Sequence, residues 1–198
     1  MRIIFYLIFL LHSTWSFSQL SSREWHKGIV VTTNQDTISG EIKYDFSSNM
    51  ITLIKNESVI AFSSHKLIYF EIYDESYKSY REFYAIPHRN ASNYLTPILF
   101  ELQFEGVLSL LSREKIVIET SSVGYGYGVP VISQPTVRYD FYFLTKGGKL
   151  TQFSGSKRDL LTILAKKKNE IQSFIKGNRL KTDDLRDLVR IIAFYNSI

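Results

Sequence analysis

Pro97–Glu105 reads PILFELQFE, and its alternation decides the fold class. Phe100, Leu102 and Phe104 share one side of an extended chain, with Glu101, Gln103 and Glu105 on the other, because successive strand side chains point to opposite faces. One apolar and one polar face is the pattern of an antiparallel strand buried on one side only. Gly106 then turns the chain into Val107–Ser112, and Lys115–Thr120 is the next extended run.

The same punctuation repeats upstream. Gly28–Thr33 and Thr37–Tyr44 flank the polar turn Asn34-Gln35-Asp36, and Met50–Lys55 and Ser58–Ser63 flank Asn56-Glu57. Leu67–Tyr73 and Lys78–Ile86 flank Asp74-Glu75-Ser76. Such polar pairs and triplets between apolar runs are hairpin signals. Gly40 interrupts the second strand, which predicts a bulge or a close backbone approach. Downstream, Tyr139–Thr145 and Lys149–Phe153 flank Lys146-Gly147-Gly148, a glycine turn. About ten short strands joined by short turns predict a mainly β, α+β architecture, an antiparallel sandwich or partly open barrel.

At Ser156 the period changes. Ser156 with Asp159 three residues on forms a helix N-cap. Leu160, Leu161, Leu164, Ile171, Phe174 and Ile175 mark a helical face that Lys166-Lys167-Lys168 interrupts, so one long helix and two short ones are equally compatible. Gly177 reads as a C-terminal stop and Thr182 as a second cap. Leu185, Leu188, Val189, Ile192 and Tyr195 then form the stripe of a last helix. Two or three C-terminal helices are expected, dividing the chain into a β domain over 19–155 and a basic helical segment over 156–198. Charge follows the same division: residues 19–144 carry net −3 and residues 145–198 carry net +7.

The amino terminus reads as an export signal over 1–18. Met1-Arg2 is a positive start, Ile3–Leu11 is an unbroken apolar run, and Ser16-Phe17-Ser18 places small residues before Gln19. The apolar run is far shorter than the ~20 residues that span a bilayer. The whole chain has 198 residues, net charge +5 and no cysteine. Disulfides, thiolate metal sites and a cysteine nucleophile are therefore excluded. An exported chain without cysteine fits a bacterial envelope, with the periplasm, the outer membrane or the exterior as its place.

Four segments carry a family resemblance: Gly28 through Asp36-Thr37-Ile38-Ser39-Gly40-Glu41-Ile42, Leu67–Ile72 with Leu99–Leu110, Tyr142-Phe143-Leu144 through Leu150, and the closing Tyr195-Asn196. On these the chain resembles a family of exported β-rich proteins of Gram-negative bacteria that has no established activity. The resemblance implies export and the β-plus-helical-tail architecture, and it implies no mechanism.

Catalytic patterns are missing from the sequence. His26, His65 and His88 stand at none of the i+2 to i+4 spacings of local metal sites and read as surface or turn histidines. There is no Gly-x-Ser-x-Gly elbow, and Gly155-Ser156-Lys157 lacks the glycine spacing of a phosphate loop. The carboxylate pairs Asp74/Glu75, Asp183/Asp184 and Glu101/Glu105 fall on a turn, a helix start and a polar strand face, and read as solvated. Two segments stand out. In 120–136 (TSSVGYGYGVPVISQPT), glycines alternate with Tyr125 and Tyr127, which suits a ligand-binding loop. Lys166, Lys167 and Lys168 suit electrostatic docking.

These features predict an exported, non-enzymatic protein acting by binding or assembly at the envelope, with no cofactor and no metal. The expected partner is an envelope protein or ligand, and export argues against nucleic acid. The alternative is a peripheral module whose basic helices dock on anionic lipid or an outer-membrane partner. A hydrolase with a site assembled from distant strands is the third reading. Cleavage before Gln19 is the first testable outcome: mass spectrometry of the native protein should find Gln19 at its start, and an intact Met1 in the envelope fraction would overturn it.

Overall fold

The computed structural model describes residues 24–89, 93–122 and 131–198. The export signal over 1–18, and Tyr125 and Tyr127, lie outside the described residues. Ten strands form one antiparallel sheet: β1 (His26–Thr32), β2 (Thr37–Asp45), β3 (Met50–Lys55), β4 (Ser58–Ser63), β5 (Leu67–Asp74), β6 (Ser79–Arg89), β7 (Leu95–Phe104), β8 (Leu108–Ser122), β9 (Val131–Thr145) and β10 (Leu150–Phe153). Their order across the sheet is β10-β9-β8-β7-β6-β5-β1-β2-β3-β4, and the ladder does not close. Three helices follow: α1 (Lys157–Ile163), α2 (Lys168–Asn178) and α3 (Leu185–Ser197). The chain is therefore mainly β with a helical C-terminal part.

The turns form where their chemistry allows. Asn56 and Glu57 both hold positive φ, 48° and 63°, the backbone of a two-residue turn whose twist matches the flanking strands. Gly28 and Gly40 sit opposite each other in the β1–β2 ladder. A Cβ on Gly28 would lie 2.1 Å from the Glu71 carbonyl oxygen, and one on Gly40 would lie 2.3 Å from that of Ile54. Close backbone approach is the reason for both.

The first seven strands curl. Tyr44 on β2 packs 5.0 Å from Phe83 on β6, ring centre to ring centre, although β5 and β1 separate those strands in the sheet. Val30, Ile42, Leu53, Phe70 and Leu99 fill the concave interior. β8 pairs with β7 only over Glu101–Phe104, and side chains meet the earlier part of that edge. Asn49 Oδ1 accepts from Leu99 N at 2.8 Å, and Ser64 Oγ donates to the Pro97 carbonyl at 2.7 Å. These bonds join the two ends of the curl without a strand ladder.

The other half of the same face is covered by helices. Leu110, Phe143 and Phe153 meet Leu160, Leu164 and Ile171, together with Leu188, Ile191 and Ile192 of α3. Ile98, Phe100, Leu111 and Tyr142 form a third cluster on the opposite face. Asn196 fixes α3 to the sheet: its Oδ1 accepts from Leu108 N and its Nδ2 donates to Leu108 O, both at 3.0 Å. A Cβ on Gly106 would strike that amide at 2.4 Å, so the turn glycine makes room for the helix anchor.

Several local expectations change. Val107–Ser112 and Lys115–Thr120 belong to one long strand, β8, because β9 supplies a continuous partner from Thr145 to Val131. A register shift between Leu102 and Phe104 breaks the PILFELQFE alternation. Leu102 joins the opposite-face cluster, whereas Phe104 packs on the helix-covered core. Ser156 does cap α1, its hydroxyl accepting from Asp159 N. The lysine run divides α1 from α2 through a 3-10 turn over Ala165–Lys167. Gly177 lies inside α2, and Arg179 with φ 55° is the C-cap. Asp184, not Thr182, caps α3, because Thr182 Oγ1 donates to the Gly155 carbonyl instead.

Leu188 is fully buried between α3 and this core. Leu188→Ala should lower the unfolding free energy by about 2–5 kcal/mol, as buried leucine truncations do. A shift in the midpoint of denaturant unfolding measures it, and an unmoved midpoint would make α3 a free arm.

Candidate functional site

The two cores on the sheet's inner face meet at a buried charged seam. Arg81 on β6 shares its face with Phe83, and its guanidinium reaches carboxylates from three other strands. Its Nε and Nη2 bind Glu101 of β7 at 2.7 and 2.8 Å, a bidentate pair. Nη2 also donates to Glu114 of β8 at 2.5 Å, and Nη1 to Asp74 of β5 at 3.3 Å. Asp74 is 1% exposed, and Glu101 and Glu114 are both 8% exposed. Asp74 also caps its own turn by accepting from Ser76 N at 2.9 Å.

This overturns the solvated reading for one member of each of two carboxylate pairs, while Glu75 and Glu105 are exposed as read. Asp74 and Glu101 are buried because a guanidinium from the adjacent strand meets them, and buried charges persist only when so paired. Burial is the largest influence on Glu114 and pushes its carboxyl above the usual range. Arg81 opposes the rise, and Glu101 and Asp74 reinforce it. Tyr139, directly across the β8–β9 ladder from Glu114, is pushed up to about 12 by burial and then by Glu114.

A cleft of about 300 Å³ opens beside the seam, lined by Tyr77, Tyr80, Arg81, Glu101, Gln103 and Tyr139 among others. From Tyr139 the same sheet face runs outward along a two-stranded ribbon. β7 leaves β8 after Ser112 and β10 leaves β9 after Phe141, so beyond them β8 and β9 pair only with each other among the described residues. One ribbon face carries Ile116 opposite Val137 and Ile118 opposite Pro135. Ile116 is 46% exposed and Ile118 73%. On the other face the charges neutralise one another. Lys115 Nζ meets Asp140 at 2.6 Å, and Arg138 Nε meets Glu119 at 2.8 Å. The ribbon is thus amphipathic, and its uncovered apolar side continues into the tyrosine cleft.

The lysine run does not act as a unit. Lys167 Nζ donates to the Tyr195 carbonyl at 3.2 Å and to that of Ile198, and lies 5.1 Å from the centre of the Tyr195 ring. It satisfies the end of α3 and is withdrawn from docking, whereas Lys166 and Lys168 are exposed. Tyr125 and Tyr127 belong to the segment that links the ribbon strands.

The histidines are dispersed. His26 is buried on β1, which corrects its surface reading. His65 Nε2 lies 3.2 Å from Thr96 Oγ1, and His88 stands edge-on to Phe100 and Tyr142. Among the described residues, no group of three or more histidine or carboxylate side chains could hold a metal ion. Sequence reasoning singled out neither Arg81 nor the ribbon. A lone arginine two residues before Phe83 was the available signal for the former. No family model, curated protein or solved structure matches the chain.

The seam makes a pH prediction. Glu114's folded pKa lies above its unfolded value of ~4.3, so within that window the folded chain binds more protons than the unfolded one. Stability should therefore fall as pH rises through the window, and Glu114→Gln should remove that part of the slope. Arg81→Met, which leaves three carboxylates buried without their cation, should cost about 3–5 kcal/mol at neutral pH. Urea midpoints across pH test both variants, and a slope unchanged in Glu114→Gln would overturn the assignment.

Proposed function

We propose that the chain is an exported protein of the bacterial envelope that works by binding or assembly and not by catalysis. Its working surface is the apolar face of the β8–β9 ribbon together with the tyrosine cleft at its base. The observation that supports this reading is the pair Ile116 and Ile118, held exposed on a strand whose opposite face is neutralised by its own ion pairs. Exposed contiguous apolar surface rimmed by polar groups marks interaction sites. The buried carboxylates, by contrast, are already engaged by Arg81, which suits a structural tie. Among the described residues no helix is long and apolar enough to cross a membrane. Export rests on the sequence pattern of residues 1–18, and membership of the exported family on the four motifs.

The ribbon reading is tested in the envelope itself. Photo-crosslinkers at Ile118 and Val137 should trap one envelope component, and at Lys168 on the helical side should not. Ile116→Ser with Ile118→Ser should reduce the trapped fraction from Val137 at least tenfold, equivalent to about 1.4 kcal/mol of binding. The melting temperature should not change, because both side chains are exposed. Equal trapping from Lys168, or trapping insensitive to the serine pair, would overturn the reading.

A further inference from the structure

A second and larger cavity, about 680 Å³, opens on the helical side. It lies between the β7–β8 turn, the β9–β10 hairpin, α1 and the end of α3. That volume falls within the ~300–1,000 Å³ of small-molecule sites. Its floor is apolar: Leu108 and Phe143 are buried, and Ile163 and Tyr195 half-buried. Its rim carries Lys146, Lys149 and Lys166, and no carboxylate lines it. Among the described residues none of these three ammonium groups has a hydrogen bond or an ion pair.

Three carboxylates of the helical part accept backbone N–H groups and make no ion pair with these lysines. Asp159 Oδ2 accepts from Ser154 N, Asp184 Oδ1 from Asp187 N, and Asp187 Oδ2 from Lys181 N. Three ammonium groups therefore face one apolar trough uncompensated. An apolar interior beneath a purely cationic rim is complementary to a molecule with an alkyl body and an anionic head. The hydrophobic contribution scales with the chain length buried. The lysines supply orientation and a salt-dependent attraction.

We propose that this cavity binds a monomeric single-chain anionic lipid. Its alkyl chain lies on Leu108 and Phe143, and its head lies among Lys146, Lys149 and Lys166. The site is separate from the ribbon and does not rest on the ribbon's role. Lys166 takes part through the mouth of the cavity, while Lys167 holds α3 and Lys168 does not line the site.

Laurate, titrated calorimetrically into the full chain below its micellar concentration, is the probe. Saturable binding at one site is expected, weakening as salt rises. Lys146→Gln, Lys149→Gln and Lys166→Gln together should weaken it at least tenfold. Val107→Asp, an exposed change at the cavity wall, should weaken it comparably by repelling the head, and neither variant should change the melting temperature. Dodecanol should bind wild type at least tenfold more weakly than laurate does, and acetate should not bind. Ile116→Ser with Ile118→Ser should leave laurate binding intact. The proposal is overturned if laurate shows no saturable binding, if it binds the lysine variant as tightly as wild type, if the ribbon variant abolishes it, or if only anionic vesicles are bound.

Discussion

One buried guanidinium makes a single sheet with two different covers possible. The inner face is sealed by its own curl over β1–β7 and by helices over β8–β10, and the polar seam lies where one cover gives way to the other. There a neutral apolar side chain would have to pack against both cores at once. Arg81 instead ties β5, β7 and β8 through Asp74, Glu101 and Glu114, and its guanidinium carbon lies 5.2 Å from the centre of the Phe83 ring. Desolvating such a cluster costs much of what its ion pairs return, so its value lies more in fixing strand register than in net stability. A slip of one residue in any of the tied strands would turn its carboxylate to the opposite face.

That seam explains where sequence reasoning succeeds and where it stops. Turn chemistry is local, so the bounds of β3 and β4 around Asn56-Glu57 follow from the residues themselves, as does the capping of α1 by Ser156. Burial of a polar strand residue is not local. Glu101 alternates with Phe100 and Leu102 as a solvent-facing residue would, and its partner is twenty positions earlier on a neighbouring strand. The bulge that sends Phe104 to the helical core depends on the register of β7 against β8, which no single strand encodes. The ribbon was hidden for the same reason. Lys115 and Glu119 look like an ordinary charged face until the ladder places Arg138 and Asp140 within reach of them.

Nearby cations also separate by backbone geometry. Lys166, Lys167 and Lys168 are consecutive, yet they straddle the 3-10 turn between α1 and α2, where residues point in widely different directions. Lys167 turns back to the carbonyls at the end of α3, which lack partners within their own helix. Lys166 turns to the cavity mouth. A run of like charge in sequence is thus divided in space, and treating it as one docking patch overlooks the anchor that one member supplies.

Asn196 binds these regions together. Its amide pairs with both backbone groups of Leu108, much as a neighbouring strand would, and its Nδ2 also returns to Ile192 O within α3 at 2.8 Å. The same Leu108 begins β8, forms part of the helix-covered core and floors the lysine-rimmed cavity. The helix end that Lys167 holds and the strand start that Asn196 holds therefore both border one space. Two polar anchors border the cavity, each made to backbone groups: Lys167 to the carbonyls at the end of α3, and Asn196 to the N–H and carbonyl of Leu108. The cavity's apolar floor can stay open because its walls are fixed by hydrogen bonds and do not depend on side chains filling the gap between them.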